Sequence, residues 1–451
     1  MSKVIKIKKG LDIKLKGAAE KVTVIAESSD LYAIKPPDFV GLTPKLCAKP
    51  GEKVKVGTPV FFDKNRPSIM FTSPVSGTLK EVRRGERRRI LEVVIEASKD
   101  QDYEEFSSGN PEGMTEEVVR DNLLKSGLWP TIIQRPYGVL ADPEAKPRSI
   151  YISGFDSSPL GVDYDVILKD EEASMAAGVA ALQQLTDGKV HMGLAEGYPV
   201  NKAFDKLKNV EYHYFKGKHP AGNVGIQIHH IEPMNKGDIV WTLSPQHVSA
   251  IGKLFLNGKL NPSITIAIAG SGISKPRYVK TMMGTSLKPL LANMLEEPES
   301  VRIISGNVLT GTKVEAEGFL GYYDALLSVI PEGNYYELFG WVMPGLKKFS
   351  NTRAFFSWLR PGKEWEIDTN LKGGERAFVL TGQYNKVFPM DILPVHLLKA
   401  ILVEDIDKME QLGIYEVLEE DMALCEFVCT SKTDVQGILR NGLDLMRKEM
   451  S

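Results

Sequence analysis

The chain has 451 residues, of which 25% are charged and 43% hydrophobic, with a formal net charge of −2 at pH 7. This length predicts three or four domains of about 100–150 residues each. The charge balance disfavours a chain-wide nucleic-acid surface, which requires a basic excess. Three cysteines predict a reducing compartment without a disulfide framework. The chain lacks both a signal-peptide pattern and an apolar run of about 18–20 residues, so we expect it in the cytosol or on the cytosolic face of a membrane.

The first hundred residues have the texture of short strands separated by proline and glycine. Two turn motifs, PGEKV at 50–54 and SPVSGTL at 73–79, each predict a hairpin or a turn into a strand. Together they resemble the barrel-sandwich module of biotinyl and lipoyl carriers, to which we assign residues 1–100. Lys64 lies too far from Pro74 to match the modified lysine of a swinging arm. We therefore interpret this β module as a scaffold.

An arginine cluster follows within one turn of this module. We favour its interpretation as a solvated hairpin tip. The alternative is a docking patch for an acidic partner or an anionic lipid surface. The cluster consists of Arg83, Arg84, Arg87, Arg88 and Arg89.

Residues 98–115 are acidic, rich in serine and glycine, and predict a linker.

Residues 115–255 predict a Rossmann-like α/β core with a mostly parallel sheet. Thr115 precedes a helical pattern that Gly127 closes. Apolar runs at 149–152, 189–194, 210–215 and 238–243 predict strands, with a helical period between them at 172–185.

Residues 264–272 read ITIAIAGSG, a strand running into a Gly-x-Gly turn as in a dinucleotide-binding motif. Lys275 stands at the third glycine position and Pro276 begins another extended segment, so we favour a hairpin. A short helix capped near Ser286 is predicted next. This order resembles the β-grasp ligand-binding (SLBB) module and assigns it residues 260–345. Apolar spacing at 393–412 and 422–446 predicts a helical domain at 350–451.

The segment 216–233 predicts a strand, a tight loop at Gly222 and Gly225 where the backbone must approach another group closely, and a second strand. Neighbours on a strand face opposite sides, so His229 and His230 would not share one site. The run HPAGNVGIQIHHI resembles the corresponding segment of the A-subunit family of the bacterial Na+-translocating NADH:quinone oxidoreductase.

The order of β module, α/β core, grasp module and helical tail also resembles the NADH-binding subunit of complex I and the C subunit of the Rnf complex. In those relatives a glycine-rich loop holds the flavin phosphate and four cysteines hold an iron–sulfur cluster. Here the loop position reads GLWPTIIQRP at 127–136, and its two prolines remove backbone donors that a phosphate needs. Cys47, Cys425 and Cys429 are too few for a four-thiolate cluster. We interpret Cys425 and Cys429 as core thiols, and the alternative is a metal that they share with a partner protein of the complex.

An apolar slot around Trp129, with Gln134, Arg135 or Tyr137 as a polar handle, would suit a quinone headgroup and its isoprenoid tail. The alternative is that Trp129 belongs to the core. One of the paired histidines, His229 or His230, could hydrogen-bond a quinone carbonyl. No catalytic residue, cofactor-binding residue or metal ligand is predicted.

The resemblance implies a peripheral subunit on the cytoplasmic face of the bacterial inner membrane. Its partners would be the other subunits of the membrane complex, which would carry the NADH site, the flavins and the iron–sulfur centre. This subunit would hold no redox cofactor, would assist assembly and would bind quinone, and it would not bind nucleic acid. Two alternatives remain: an active flavin- and NADH-binding electron-transfer subunit of the Rnf or complex I type, and a pure scaffold without quinone contact.

Overall fold

The computed structural model describes residues 4–205, 207–295, 298–335, 337–340, 342–360 and 362–450. Its strands are β1 Val4–Lys6, β2 Glu20–Ile25, β3 Leu31–Ile34, β4 Pro44–Leu46, β5 Lys53–Val54, β6 Pro59–Asp63, β7 Met70–Thr72, β8 Gly77–Arg84, β9 Ile90–Ala97, β10 Ile133–Arg135, β11 Val139–Leu140, β12 Ser149–Ser153, β13 Val190–Ala195, β14 Val210–Lys216, β15 Val240–Leu243, β16 Ser263–Ala269, β17 Arg277–Met282, β18 Val301–Ser305, β19 Thr312–Val314 and β20 Leu326–Pro331. Its helices are α1 Glu116–Ser126, α2 Tyr164–Ile167, α3 Glu172–Gln183, α4 Val224–Ile231, α5 Pro245–Asn257, α6 Leu287–Leu291, α7 Tyr384–Val387, α8 Pro394–Leu402, α9 Ile406–Gln411, α10 Glu419–Phe427 and α11 Val435–Met450.

A seven-stranded sheet in the order β1-β14-β13-β12-β15-β10-β11 forms the α/β core. The five strands from β1 to β15 are parallel, and β10 and β11 add antiparallel pairs at one edge. Helices α3 and α5 pack closely together because Gly178 and Gly252 let the two backbones touch. The predicted helix after Thr115 is confirmed, since its hydroxyl accepts from Val118 N and Gly127 ends the helix in the left-handed conformation.

The prediction of a second strand at 224–231 is wrong, because this segment is helix α4. Strands β14 and β15 lie parallel in one sheet, and a parallel connection needs a crossover, usually helical. The residues Val224, Ile228 and Ile231 follow the helical spacing that the apparent apolar alternation hides. Ile228 packs with Tyr151 and Val240 on one face of the sheet.

The β module contains a four-stranded sheet, β3-β9-β8-β5, and a three-stranded sheet, β4-β6-β7. Strands β8 and β9 pair antiparallel, so the arginine cluster lies at their connection as expected. Arg87 and Arg88 are exposed there and both have positive φ angles. The first 25 residues leave this module: β1 pairs with β14, and β2 pairs with β17 of the next sheet.

The third sheet has the order β19-β18-β20-β16-β17-β2 and carries the grasp module. Strands β16 and β17 pair antiparallel, which confirms the hairpin at 263–282 rather than a dinucleotide turn. Ser286 lies at the N-cap of α6 as predicted.

The C-terminal region is helical from Tyr384 onward, in α7 to α11. Cys425 and Cys429 are both buried in its core. Among the described residues, no helix is both long enough and apolar enough to cross a bilayer.

Candidate functional site

A cavity of about 430 Å³ lies at the carboxyl ends of β12 and β15. From β12 the chain proceeds to β13 and β14 on one side and later returns to β15 on the other. The order therefore reverses between β12 and β15, which is the place where open α/β sheets bind ligands. The volume falls within the range of about 300–1,000 Å³ of small-molecule sites.

Two helices begin at this cavity. Asn223 precedes α4 and Ser244 precedes α5, and both residues line the cavity. The Ser244 hydroxyl accepts from His247 N at 3.4 Å, which is the N-cap bond of α5. Helix N-termini present backbone N–H groups and a partial positive charge, so this end of the cavity favours a ligand oxygen.

The wall combines apolar surface with unpaired hydrogen-bond donors. Apolar side chains come from the β module, the sheet and the C-terminal region, and include Val40, Ile133, Leu140, Phe155 and Leu418. Three lining residues each carry a buried donor with no hydrogen-bond partner among the described residues: the Ser158 hydroxyl, Arg135 Nε and Arg440 Nε. An unmade hydrogen bond of this kind is costly, so these atoms are candidate donors to a ligand acceptor.

Arg135 is also the centre of a buried ion-pair network. Its Nη1 lies 3.1 Å from Asp421 Oδ2 and its Nη2 lies 2.6 Å from Glu420 Oε1. The Arg135 and Asp421 side chains are 2% and 0% exposed, so neither charge is solvated by bulk water. Arg135 ends β10 and Asp421 lies in the first turn of α10, so the pair joins the α/β core to the C-terminal region.

Gly225 explains why this ion pair can form. A Cβ atom at this position would lie 2.2 Å from Asp421 Oδ2 and 2.4 Å from Arg135 Nη1. The close approach expected at this glycine is therefore an approach to side chains of two other segments. Just before it, Asn223 Nδ2 donates to the Glu420 carbonyl at 2.9 Å. The start of α4 is thereby held against α10.

The paired histidines lie at the other end of α4. His229 Nε2 accepts from Asp391 N at 3.1 Å, so Nδ1 carries the proton and donates to Glu416 Oε2 at 2.7 Å. His230 Nδ1 donates to the Ile226 carbonyl at 2.8 Å, and burial lowers the pKa of its imidazole. Neither ring is among the residues that line the cavity. His229 therefore joins α4 to the C-terminal region.

The remaining predicted residues support the wall from behind. Trp129 is fully buried, contacts Trp241 edge to face at 5.5 Å, and donates from Nε1 to the Ala141 carbonyl at 2.9 Å. Gln134 Oε1 accepts from Asp142 N at 3.0 Å and from Trp241 Nε1 at 3.3 Å. Tyr137 makes an edge contact with the Tyr415 ring at 6.3 Å. Of the six residues in the predicted site, Arg135 is the one that lines the cavity.

Several residues that line the cavity were not predicted from the sequence, among them Ser158, Tyr164, His219 and His247. Burial lowers the pKa of both histidines to about 4, so each is neutral at pH 7. The pKa of the Glu420 carboxyl is raised, chiefly because the cavity wall desolvates it and secondly because of the neighbouring Asp421. The position of His219 in the HPAG motif and of His247 behind an N-cap serine were available signals, but only the folded topology brings them together.

The segment at 127–136 does not fit a flavin phosphate. A Cβ at Gly127 would lie 2.3 Å from the Thr72 hydroxyl, so this glycine packs against the β module instead of a ligand. The Tyr322 hydroxyl donates to the Gly127 carbonyl at 3.3 Å. Trp129 and Pro130 are both buried immediately beyond it. No free backbone cradle is left for a phosphate at this segment.

One group of described residues has the composition of a metal site: His191 on β13, with Glu211 and His213 on β14. Their ligand atoms lie within 4.8 Å of one another. However, His191 Nδ1 and His213 Nε2 share a hydrogen bond at 3.0 Å, and Glu211 pairs with Lys189. We therefore describe this group as a hydrogen-bonded and ion-paired cluster.

Three family models match the chain. The NqrA N-terminal barrel-sandwich hybrid domain matches residues 5–98, the NqrA second alpha/beta domain matches 114–260, and the NQRA C-terminal domain, of SLBB type, matches 265–316. These matches support the predicted fold class of barrel-sandwich module, α/β core and SLBB module.

Curated relatives match over nearly the whole chain. A protein of Yersinia pestis is 40% identical over 449 residues, which cover 99% of this chain and all of the relative. A protein of Neisseria gonorrhoeae is 39% identical over 450 residues, and one of Photorhabdus laumondii is 38% identical over 449, with the same coverage. Each is named as the A subunit of Na(+)-translocating NADH-quinone reductase.

Solved structures of an NAD+-reducing [NiFe]-hydrogenase also match, at 12% identity. The air-oxidized state gives a TM-score of 0.34 and covers 67% of this chain and 55% of the hydrogenase chain. The H2-reduced state gives 0.39 and covers 78% and 66%.

Proposed function

Because the chain belongs to the NqrA family, the A subunits of Na+-translocating NADH-quinone reductase, we propose that it binds the quinone of that complex in the cavity beside β12 and β15. It is a subunit of an enzyme, a Na+ translocase. The proposal also makes it a peripheral, cytoplasmic subunit that contributes to assembly. Its partners are the other subunits of the complex.

The observation that carries the quinone proposal is the presence of unpaired donors beside apolar side chains, in a wall that also contains polar and acidic residues. A quinone carbonyl accepts hydrogen bonds and donates none, so it needs donors such as the Ser158 hydroxyl and Arg135 Nε–H. The apolar side chains of Val40, Ile133 and Leu140 suit an isoprenoid tail. Trp129, Gln134 and Tyr137 hold the wall in place, and His229 and His230 position α4.

We propose that this subunit holds no redox cofactor and that NADH, the flavins and the iron–sulfur centre bind to partner subunits. The occupied surroundings of Gly127 and the chain's three cysteines support this proposal. An absorption spectrum of the purified chain, with flavin and iron assays, tests it. A colourless protein is expected, and a stoichiometric flavin or iron content would instead favour the electron-transfer alternative.

A Val40→Trp substitution tests quinone binding, because Val40 lines the cavity. The indole would fill ligand space in the cavity. We expect the quinone KM of the complex to rise about tenfold or more, equivalent to at least about 1.4 kcal/mol. NADH oxidation by ferricyanide should be unchanged. Val22→Trp, at a residue 56% exposed on β2, is the matched control.

A Ser158→Ala substitution tests the donor itself. Losing one neutral hydrogen bond of about 1 kcal/mol should raise the quinone KM about fivefold. An unchanged KM in both Val40→Trp and Ser158→Ala would contradict quinone binding at this cavity.

The second candidate function is a scaffold without quinone contact. It is favoured by the contacts of Arg135, Asn223 and His229, which join the α/β core to the C-terminal region. Under this alternative, disrupting those contacts changes the amount of assembled complex, while the cavity substitutions leave the quinone KM unchanged.

A further inference from the structure

A long segment follows β20, and its two ends, at residues 333–335 and 368–370, lie side by side. Its two ends are joined by side chains: the Tyr335 hydroxyl donates to Asp368 Oδ2 at 2.6 Å, and Asn370 Nδ2 donates to the Tyr335 carbonyl at 2.6 Å. Gly333 N donates to Thr369 Oγ1 at 2.8 Å. These hydrogen bonds hold the two ends of the segment together. We name residues 338–363 within it the basic apolar loop.

The basic apolar loop exposes many large apolar side chains. Leu338 is 84% exposed, and the others are between 47% and 63% exposed. Single exposed apolar residues are ordinary, but eight large ones within residues 338–359 are the kind of group that marks an interaction surface. The exposed residues are Leu338, Phe339, Val342, Met343, Leu346, Phe356, Trp358 and Leu359.

All the charges of the basic apolar loop are positive. The sequence between 338 and 363 has no aspartate or glutamate, and its five basic residues are Lys347, Lys348, Arg353, Arg360 and Lys363. Arg353 lies over the Trp358 ring at 5.6 Å, and Lys348 lies over the Phe355 ring at 5.3 Å. Lys348 pairs with Glu337, just outside the loop. The loop thus presents basic groups beside its exposed apolar side chains.

The loop is held in shape by its own bonds. Phe356 N donates to the Pro344 carbonyl at 2.9 Å, and Lys348 Nζ donates to the Gly340 carbonyl at 2.8 Å. Part of the ordering entropy of binding is therefore already lost in the free chain.

We propose that the basic apolar loop binds the surface of an anionic phospholipid bilayer. Aromatic and aliphatic side chains mixed with lysine and arginine are the composition that binds the headgroup region, with the apolar groups inserted and the cations at the phosphates. The basic groups of the loop complement anionic lipids, and the acidic residues Glu337 and Glu364 lie just outside its two ends. This inference rests on the peripheral placement proposed above and names the surface responsible for it.

Co-sedimentation of the full chain with vesicles tests this proposal. One vesicle set is phosphatidylcholine alone, and the other is equal parts phosphatidylcholine and phosphatidylglycerol. We expect binding to the anionic vesicles that weakens between about 0.1 M and about 1 M NaCl, because the Debye length shortens from about 10 Å to about 3 Å.

Two triple variants separate the two contributions. Lys347→Gln, Arg353→Gln and Arg360→Gln combined should weaken binding on the order of 100-fold, at roughly fivefold per basic residue. Phe356→Ser, Trp358→Ser and Leu359→Ser combined should abolish the part of vesicle binding that persists at high salt. The matched control removes the rival basic patch at the β8–β9 connection, with Arg87→Gln, Arg88→Gln and Arg89→Gln. Those residues are also exposed but lack neighbouring exposed aromatic rings, so the control should bind like the unmodified chain.

Four outcomes decide the proposal. If both loop variants lose binding to anionic vesicles and the control variant keeps it, the proposal is supported. If the unmodified chain does not bind these vesicles, or if the loop variants bind them as well as the unmodified chain does, the proposal is overturned. If the chain ignores vesicles but the loop variants fail to assemble into the complex, the loop binds a protein partner, and the membrane proposal is overturned while the proposed function stands. Quinone KM measured on the same reconstituted variants keeps the two proposals distinguishable, because the loop lies outside the cavity lining.

Discussion

Replacing Arg135 with methionine should weaken the attachment of the C-terminal region. Methionine keeps a long apolar side chain but removes the guanidinium that lies 3.1 Å from Asp421 and 2.6 Å from Glu420. The Asp421 carboxylate is 0% exposed and would keep one hydrogen bond, from Leu418 N at 3.1 Å. Removing one partner of a buried pair typically costs about 3–5 kcal/mol, because the other charge is left uncompensated.

The measurement is a double-variant cycle by urea unfolding, followed by far-ultraviolet circular dichroism and by hydrogen exchange of the amides in α10. Arg135→Met alone should lower the unfolding free energy of the C-terminal region by about 3–5 kcal/mol. Adding Asp421→Asn should recover most of that loss, since the amide oxygen can still accept from Leu418 N. Lys125→Met removes an exposed pair with Asp121, in which both side chains are more than half exposed, and should cost less than about 1 kcal/mol.

Two results would contradict a stabilising role for the Arg135–Asp421 pair. If Arg135→Met unfolds within about 0.5 kcal/mol of the unmodified chain, the pair contributes nothing that the surface control does not. If the double variant is no more stable than Arg135→Met, the loss does not arise from an uncompensated Asp421 charge.

Three further predictions follow from buried groups. Gly225→Ala should cost about 1–3 kcal/mol in urea unfolding, because its Cβ would lie 2.2 Å from a carboxylate oxygen, whereas Gly374→Ala meets no atom within 4 Å and should be close to neutral. Burial lowers the pKa of His247 to about 4, so between about pH 6.5 and pH 4 the unfolded chain binds a proton at this residue and the folded chain does not. The free energy of unfolding should therefore decrease as the pH is lowered through this range, by up to about 3 kcal/mol for this group, and His247→Gln should flatten that slope. Burial raises the pKa of Asp324 to about 6, so its ionisation destabilises the fold as pH rises from about 4 to 6; Asp324→Asn should raise the melting temperature at pH 7.5 and give no gain at pH 4.

The elements of the fold are predictable where sequence signals are local. The helix after Thr115, the buried strands from 149 to 243 and the hairpin at 263–282 each have their own period and turn residues. Helix α4 is not predictable from local signals, because over its eight residues the apolar positions fit a strand as well as a helix. The requirement for a crossover between two parallel strands decides between the two, and that requirement depends on the whole sheet.

The site is predictable only in part, because its parts lie far apart in the chain. Arg135 is a candidate polar handle from its sequence position, yet its partners lie 285 and 286 residues away. Gly225 is expected to permit a close approach, but no local pattern identifies what approaches it. Ser158 carries no sequence signal at all, and its proposed role rests on the unpaired hydroxyl that the folded structure shows.

Photolabelling of the intact complex with a photoreactive quinone, followed by peptide mapping, tests quinone binding at the cavity most directly. If quinone binds at the cavity, we expect labels in this chain at 153–158, 219–224 or 242–247, the segments that line the cavity from the sheet and the two helix N-termini. Excess unlabelled quinone should suppress these labels, and Val40→Trp should reduce them. Labels confined to partner subunits, or labels in this chain that avoid all three segments, would contradict it.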